Sequence, residues 1–200
     1  MDGNSIKGVL FDFDGTLTLP GALDFPAIKR EINCPLHLPI LEYLDTVPGE
    51  LKPSLVKILE AREEKAAEES LPNIGAEKCL LTLRDKGVRL GIITRNSLPS
   101  VIRALEKFEA ITLHDFAAVI TRDDSLPKPH PQGVHKACER MGLAVSELML
   151  VGDFRFDVIA GKAAGACTVL LTNGKPPPMV SGDPEPDYTV ECLEEIVQLV

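Results

Sequence analysis

Residues 8–21 read GVLFDFDGTLTLPG, an apolar run that ends in Asp12 and Asp14 and continues through Gly15 and Thr16. On a strand, residues two positions apart share a face. The two carboxylates therefore repel unless a cation lies between them or water screens them. Asp and Gly also build ordinary turns, so from this stretch alone a solvated turn and a reactive pair are both open.

Three further segments carry polar groups at the ends of apolar runs. GIITRNS sets Thr94 and Asn96 after the second run, TRDDSLPKPHP sets Lys128 before a proline-restrained helix start, and MLVGDFRFD sets Asp153 and Asp157 after another. Singly, Thr94 reads as a capping threonine, Lys128 as a surface lysine, and Asp153 and Asp157 as turn and cap acids. Their order and their shared position at run ends carry the signal. Carboxylates from separate segments meeting in one cleft require a cation, and hard oxygen ligands with room for water suit Mg²⁺. His37, His114, His130 and His135 are scattered and no CxxC pair is present, so zinc has no ligand set.

The elements that must position these groups follow from periodicity. Gly8–Phe13, Arg89–Thr94, Phe116–Thr121, Leu148–Val151 and Cys167–Leu171 are near-continuous apolar runs, as expected for strands covered on both faces of a parallel sheet. Between them the pattern predicts helices over Lys78–Lys86, from Pro99 to Phe108, from Pro131 to Met141 and over Asp157–Ala164, with Gly87, Gly142 and Gly165 as stops. A last helix is expected from about Val190 to Val200. Such alternation implies an α/β fold with a doubly wound parallel sheet, whose ligand crevice lies beyond the carboxyl ends of the strands.

The alternation breaks between Leu19 and Pro72, where only helical signals occur. FPAIKREI and LPILEYL read as short helices. A longer one is expected over Lys52–Ser70, with Leu51, Leu55, Ile58 and Leu59 on one face and EAREEKAAEES as a solvated face. The expected organisation is a core domain of residues 1–18 and 73–200 carrying a small α-helical cap of residues 19–72. The loop GKPPPMVSGDPEPD reads as stiff and exposed.

The totals narrow the function. Two hundred residues, 44% hydrophobic and 26% charged, suit one domain with a small insertion. A net charge of −9 argues against a nucleic-acid surface and means that an anionic ligand needs a local positive site. No run approaches the ~20 apolar residues of a membrane span, and the polar start MDGNSIKG does not resemble a secretory signal. The five cysteines, odd in number and widely spaced, read as reduced and mostly buried. A cytoplasmic monomer is expected.

FDFDGTLT, IITRN, LPKPHP and VGDFRFD, in this order, resemble the four motifs of the haloacid dehalogenase superfamily, over roughly 9–21 and 74–200. The insertion point resembles that of the helical cap in the subfamily containing phosphoglycolate phosphatase, although 19–72 is short for it. The resemblance implies a Rossmann-like core and roles at matching positions. Asp12 is the implied nucleophile, forming an aspartyl phosphate, and Asp14 the acid and base that also offers its backbone carbonyl to the metal. Thr94, Lys128, Gly15 and the Arg95 backbone N–H are implied in phosphate binding. Mg²⁺ is implied at Asp12, Asp14, Asp153 and Asp157, the last through water or by orienting Lys128.

Arg95 departs from the asparagine that many relatives place after the threonine. It either points outward or meets the leaving group. Family dehalogenases lack an acid at the position of Asp14, so phosphate chemistry is favoured over carbon–halogen cleavage. The expected activity is hydrolysis of a small phosphorylated metabolite. A phosphomutase or phosphotransferase using the same intermediate is the alternative, and a non-catalytic phosphate binder the outsider. Lys29, Arg30, His37, Arg62 and Arg95 are candidates to touch the leaving group, the first four reading better as helix surface.

Overall fold

The computed structural model describes residues 5–200. The first residues of the MDGNSIKG start, and with them part of the signal reading, lie outside the described residues. Six parallel strands form one sheet in the order β3-β2-β1-β4-β5-β6. They are β1 (Gly8–Phe11), β2 (Arg89–Ile93), β3 (Ala118–Ile120), β4 (Leu148–Gly152), β5 (Cys167–Leu171) and β6 (Tyr188–Val190). Seven α-helices accompany them: α1 (Phe25–Glu31), α2 (Ile40–Thr46), α3 (Lys52–Glu69), α4 (Ala76–Asp85), α5 (Leu98–Leu105), α6 (Gln132–Met141) and α7 (Arg155–Ala164).

The apolar runs are continuous because both sheet faces are covered. Val9 and Phe11 point into a core built with α4 and α5, whereas Leu10, between them, joins a second core built with α6 and α7. Met149 and Val151 against Leu148 and Leu150 repeat the alternation on β4. The chain winds outward from β1 to β3, then returns to place β4 beside β1. That reversal is the switch point at which doubly wound sheets bind ligands.

Helices α1–α3 share a separate apolar cluster of Ile28, Ile32, Cys34, Ile40, Leu44 and Leu59. Two strands of connecting chain tie this insert to the sheet: Leu19 N–H donates to the Leu71 carbonyl (2.9 Å) and Asn73 N–H to that of Leu17 (2.8 Å). No helix among the described residues is long and apolar enough to cross a membrane.

Four expectations are corrected. The first strand stops at Phe11, and Phe13–Leu17 form one wide turn in which Gly15 takes φ +78°. The strand expected from Phe116 is only Ala118–Ile120, because Asp115 draws Thr112 N–H (2.8 Å) into a tight turn just before it. In place of a helix from Val190, that residue closes the edge strand β6, and a short 3₁₀ segment covers Leu193–Gln198. There Glu195 accepts from the N–H of Glu191 and Cys192, and Lys86 Nζ donates to the Val197 and Val200 carbonyls, which ends the segment without further turns. Leu51, just before α3, is exposed, while Leu59, Glu63, Ala66 and Ala67 on the helix are buried. The charged tail is therefore not one solvated face, since it turns Glu63 inward against Arg122.

Candidate active site

At the carboxyl edge of the sheet, four loops converge. The N–H of Asp12 donates to the Val151 carbonyl (2.8 Å), which extends the β1–β4 pairing by one residue and fixes where the turn begins. The turn is held from outside: Asn173 Nδ2 donates to the Gly15 carbonyl and Asn73 Nδ2 to that of Thr16, both at 2.8 Å. Neither asparagine stands out in the sequence, because each acts from a loop remote along the chain. Only glycine fits position 15, where the left-handed backbone coincides with a Cβ position 2.3 Å from Asp153 Oδ2.

Lys128 is the centre of the charge arrangement. Its buried ammonium lies 2.7 Å from Asp12 Oδ1 and 2.6 Å from Asp157 Oδ1, and donates to the Ile93 carbonyl at 3.1 Å. It is therefore not a surface lysine. Burial pulls its pKa down, but Asp12 and Asp157 more than offset this and leave it raised. Asp157 sits in the first turn of α7, where its other oxygen accepts the Phe154 N–H (3.1 Å).

Ligand atoms of Asp12, Asp153 and Asp157 lie within 4.8 Å of one another. Two of these three carboxylates, Asp12 and Asp157, pair with the one ammonium, and Asp153 does not. Burial, then repulsion from Asp12 and Asp157, pushes Asp153 up to about 8. Burial raises Asp157 to about 6 against the pull of Lys128, with Asp12 adding to the rise. This donor set, all hard oxygens with excess negative charge in a partly dry crevice, fits a divalent cation of the Mg²⁺ kind.

The Asp14 carboxylate stands apart from this trio. It accepts a hydrogen bond from Asn96 Nδ2 (2.6 Å) and is not one of the three clustered carboxylates. Burial, then the charges of Asp12 and Glu63, raise its pKa to about 7. The Thr94 hydroxyl is buried next to it and accepts the Asn96 N–H at 3.1 Å.

A cavity of about 490 Å³ opens from these groups towards the insert. Asp12, Asp14, Thr94, Arg95, Lys128 and Asp153 line its floor, and Lys29, His37, Ile40, Leu41, Leu59 and Glu63 come from the insert. Lys29 and His37 thus border the cavity and are not remote surface, whereas Arg62 is turned away to Glu31 (2.6 Å). Arg95 does not point outward. Its guanidinium pairs with Glu42 of α2 (2.6 Å), donates to the Lys128 carbonyl and lies 5.2 Å from the Phe156 ring centroid. The sequence gives no sign that Glu63 and Phe156 line this cavity, or that Glu42 and Arg122 pair with residues that do, because these partners are set by tertiary packing.

The sequence profile of the family described as "Haloacid dehalogenase-like hydrolase" matches residues 26–171. An uncharacterized hydrolase of Saccharomyces cerevisiae is 33% identical over 198 residues, covering 98% of this chain and 91% of its own. The phosphoglycolate phosphatase of Escherichia coli strain K12 is 31% identical, covering 84% of this chain and 82% of its own. Among solved structures, a hydrolase from Pseudomonas syringae superposes with a TM-score of 0.78 at 21% identity, covering 96% of this chain and 97% of its own.

Proposed function

Because this chain belongs to the haloacid dehalogenase-like hydrolases, we propose that it is a Mg²⁺-dependent phosphatase that hydrolyses a small phosphomonoester through an aspartyl phosphate on Asp12. The observation that carries this reading is the division between the two acids of the first turn. Asp12 lies in the cationic grip of Lys128 (2.7 Å), whereas Asp14 is held apart by Asn96 and keeps a proton up to a pKa of about 7. One is set to attack, the other to move a proton.

In the first step an Asp12 oxygen bonds to phosphorus as the ester P–O bond breaks, and the departing alkoxide takes the proton of Asp14. In the second, Asp14 removes a proton from water as that oxygen bonds to phosphorus and the acyl phosphate bond breaks, restoring Asp12. Lys128 offsets charge on Asp12 and on the phosphoryl oxygens. The Thr94 hydroxyl and the backbone N–H groups of Gly15 and Arg95 hold those oxygens. Asp12 and Asp153, with the Asp14 carbonyl, would hold Mg²⁺, which neutralises phosphoryl charge when bound. Asp157, 2.6 Å from Lys128, orients that ammonium.

Residues 19–72 serve in this reading as a cap domain that excludes bulk water and meets the leaving group. The E. coli phosphoglycolate phosphatase supports a small phosphorylated metabolite as substrate class. We take the enzyme to act as a monomer in the cytoplasm, where its five free cysteines suit a reducing compartment.

Asp12→Asn removes the nucleophile while preserving shape. Turnover of p-nitrophenyl phosphate with Mg²⁺ should fall to background with an unchanged circular dichroism spectrum. Undiminished phosphate release by this variant would overturn the reading.

A further inference from the structure

The part of the cavity wall contributed by the insert holds a buried carboxylate that the reaction does not use. Glu63, on the fourth turn of α3, is only 3% exposed. Its Oε1 accepts from Arg122, which comes from the loop after β3. Its Oε2 is buried and makes no hydrogen bond among the described residues, although the Ser97 backbone N–H lies close to the same carboxylate. The same side chain lines the cavity beside Asp14, Asn96 and Thr94. A buried carboxylate oxygen left without a donor carries a substantial desolvation cost, so such oxygens are normally paired.

We propose that Glu63 Oε2 is the acceptor for a hydrogen-bond donor on the substrate's leaving group, a hydroxyl or ammonium close to the ester oxygen. The assignment rests on the phosphatase reading and narrows its substrate class. With Asp14 handling the ester oxygen from the same cavity, a donor carried by the leaving group's carbon chain meets Glu63. Leu59, on the preceding turn of α3, and Ile40 bound the carbon skeleton with apolar surface. Because Arg122 is already paired with this carboxylate through Oε1, a neutral hydroxyl satisfies Oε2, and short polyol phosphates are the favoured form. An ammonium is the other source of the same donor chemistry.

Three esters of similar size separate the outcomes: propyl phosphate has no donor, glycerol 1-phosphate offers hydroxyls and phosphoethanolamine an ammonium. The purified chain with Mg²⁺ should show kcat/KM at least about tenfold higher for one donor-bearing ester than for propyl phosphate, the scale of a hydrogen bond to a charged group. In Glu63→Gln, where the amide turns an N–H₂ into the cavity, that ratio should collapse towards one. Glu63→Asp, which keeps a charge opposite Arg122 but withdraws the oxygen, should lower the ratio as well and guards against simple loss of fold. If Glu63 only fastened the cap, all three esters would suffer alike and the ratios would stand.

Unchanged ratios in both variants, or no preference in the unmodified chain, would overturn the assignment while leaving the phosphatase reading intact. No hydrolysis of any of the three esters or of p-nitrophenyl phosphate by the folded chain would overturn both.

Discussion

The reactive side chains owe their positions to neighbours that have no room to vary. Gly152 closes β4 with ordinary backbone angles, yet a Cβ there would lie 2.1 Å from Asp157 Cγ. Asp157 cannot retreat without giving up Lys128 on one side and the Phe154 N–H on the other. Gly152→Ala should therefore cost about 1–3 kcal/mol of stability by overpacking. Its larger effect should be on chemistry: displacing Asp157 by part of an ångström and Lys128 with it should reduce kcat/KM roughly a hundredfold. Thermal melts and steady-state kinetics on the same preparation check both, and a variant with wild-type kinetics would show that Asp157 does not set the position of Lys128.

Between elements, two of the ion pairs that join the insert to the core involve a residue of the cavity. Arg122 to Glu63 is buried, whereas Arg95 to Glu42 is partly open, with side chains 22% and 38% exposed. Arg95 ties α2 to the Lys128 carbonyl and to Phe156, so it relates the insert to the phosphate floor. A pair this exposed is worth at most about 1 kcal/mol. Glu42→Gln should therefore leave Tm nearly unchanged, raise KM for small esters by up to about fivefold and keep kcat within about twofold. A large fall in kcat at constant KM would mean instead that Glu42 acts on the chemical step.

Over the whole molecule, the crevice acids link folding to pH. Asp14, Asp157 and Asp153 have ordinary pKa values of 3.8 and reach about 7, 6 and 8 in the fold. Between about pH 4 and pH 8 the folded chain then binds more protons than the unfolded one, so stability falls as pH rises through that window. Acids held below their ordinary values, such as Asp115, Asp124 and Asp187, contribute stability that is lost only at lower pH. Under the proposed metal assignment, cation binding displaces the Asp153 proton and offsets the repulsion among the carboxylates. The rise in Tm on adding MgCl₂ to chelator-treated protein should accordingly grow from pH 5 to pH 8. A Mg²⁺ effect equal at both ends would argue against a site built from these carboxylates.

The sequence by itself determined five of the six strands and the polar residues that stand at their carboxyl ends. Burial on both faces leaves a strand no polar positions until it ends, so Asp12, Thr94 and Asp153 mark where strands stop, and glycines or prolines mark the helices between. Only the tertiary structure decided the rest. Edge strand β6 is three residues long and half exposed, too short and too polar to carry a pattern. Asn73 and Asn173 steady the first turn from distant loops. The inward turn of Glu63, and the hold of Glu42 on Arg95, depend on how α2 and α3 settle against the sheet. Periodicity tells which face of a helix is apolar. It does not tell which charged residue at the margin of that face will find a buried partner, because that is a property of the opposing surface.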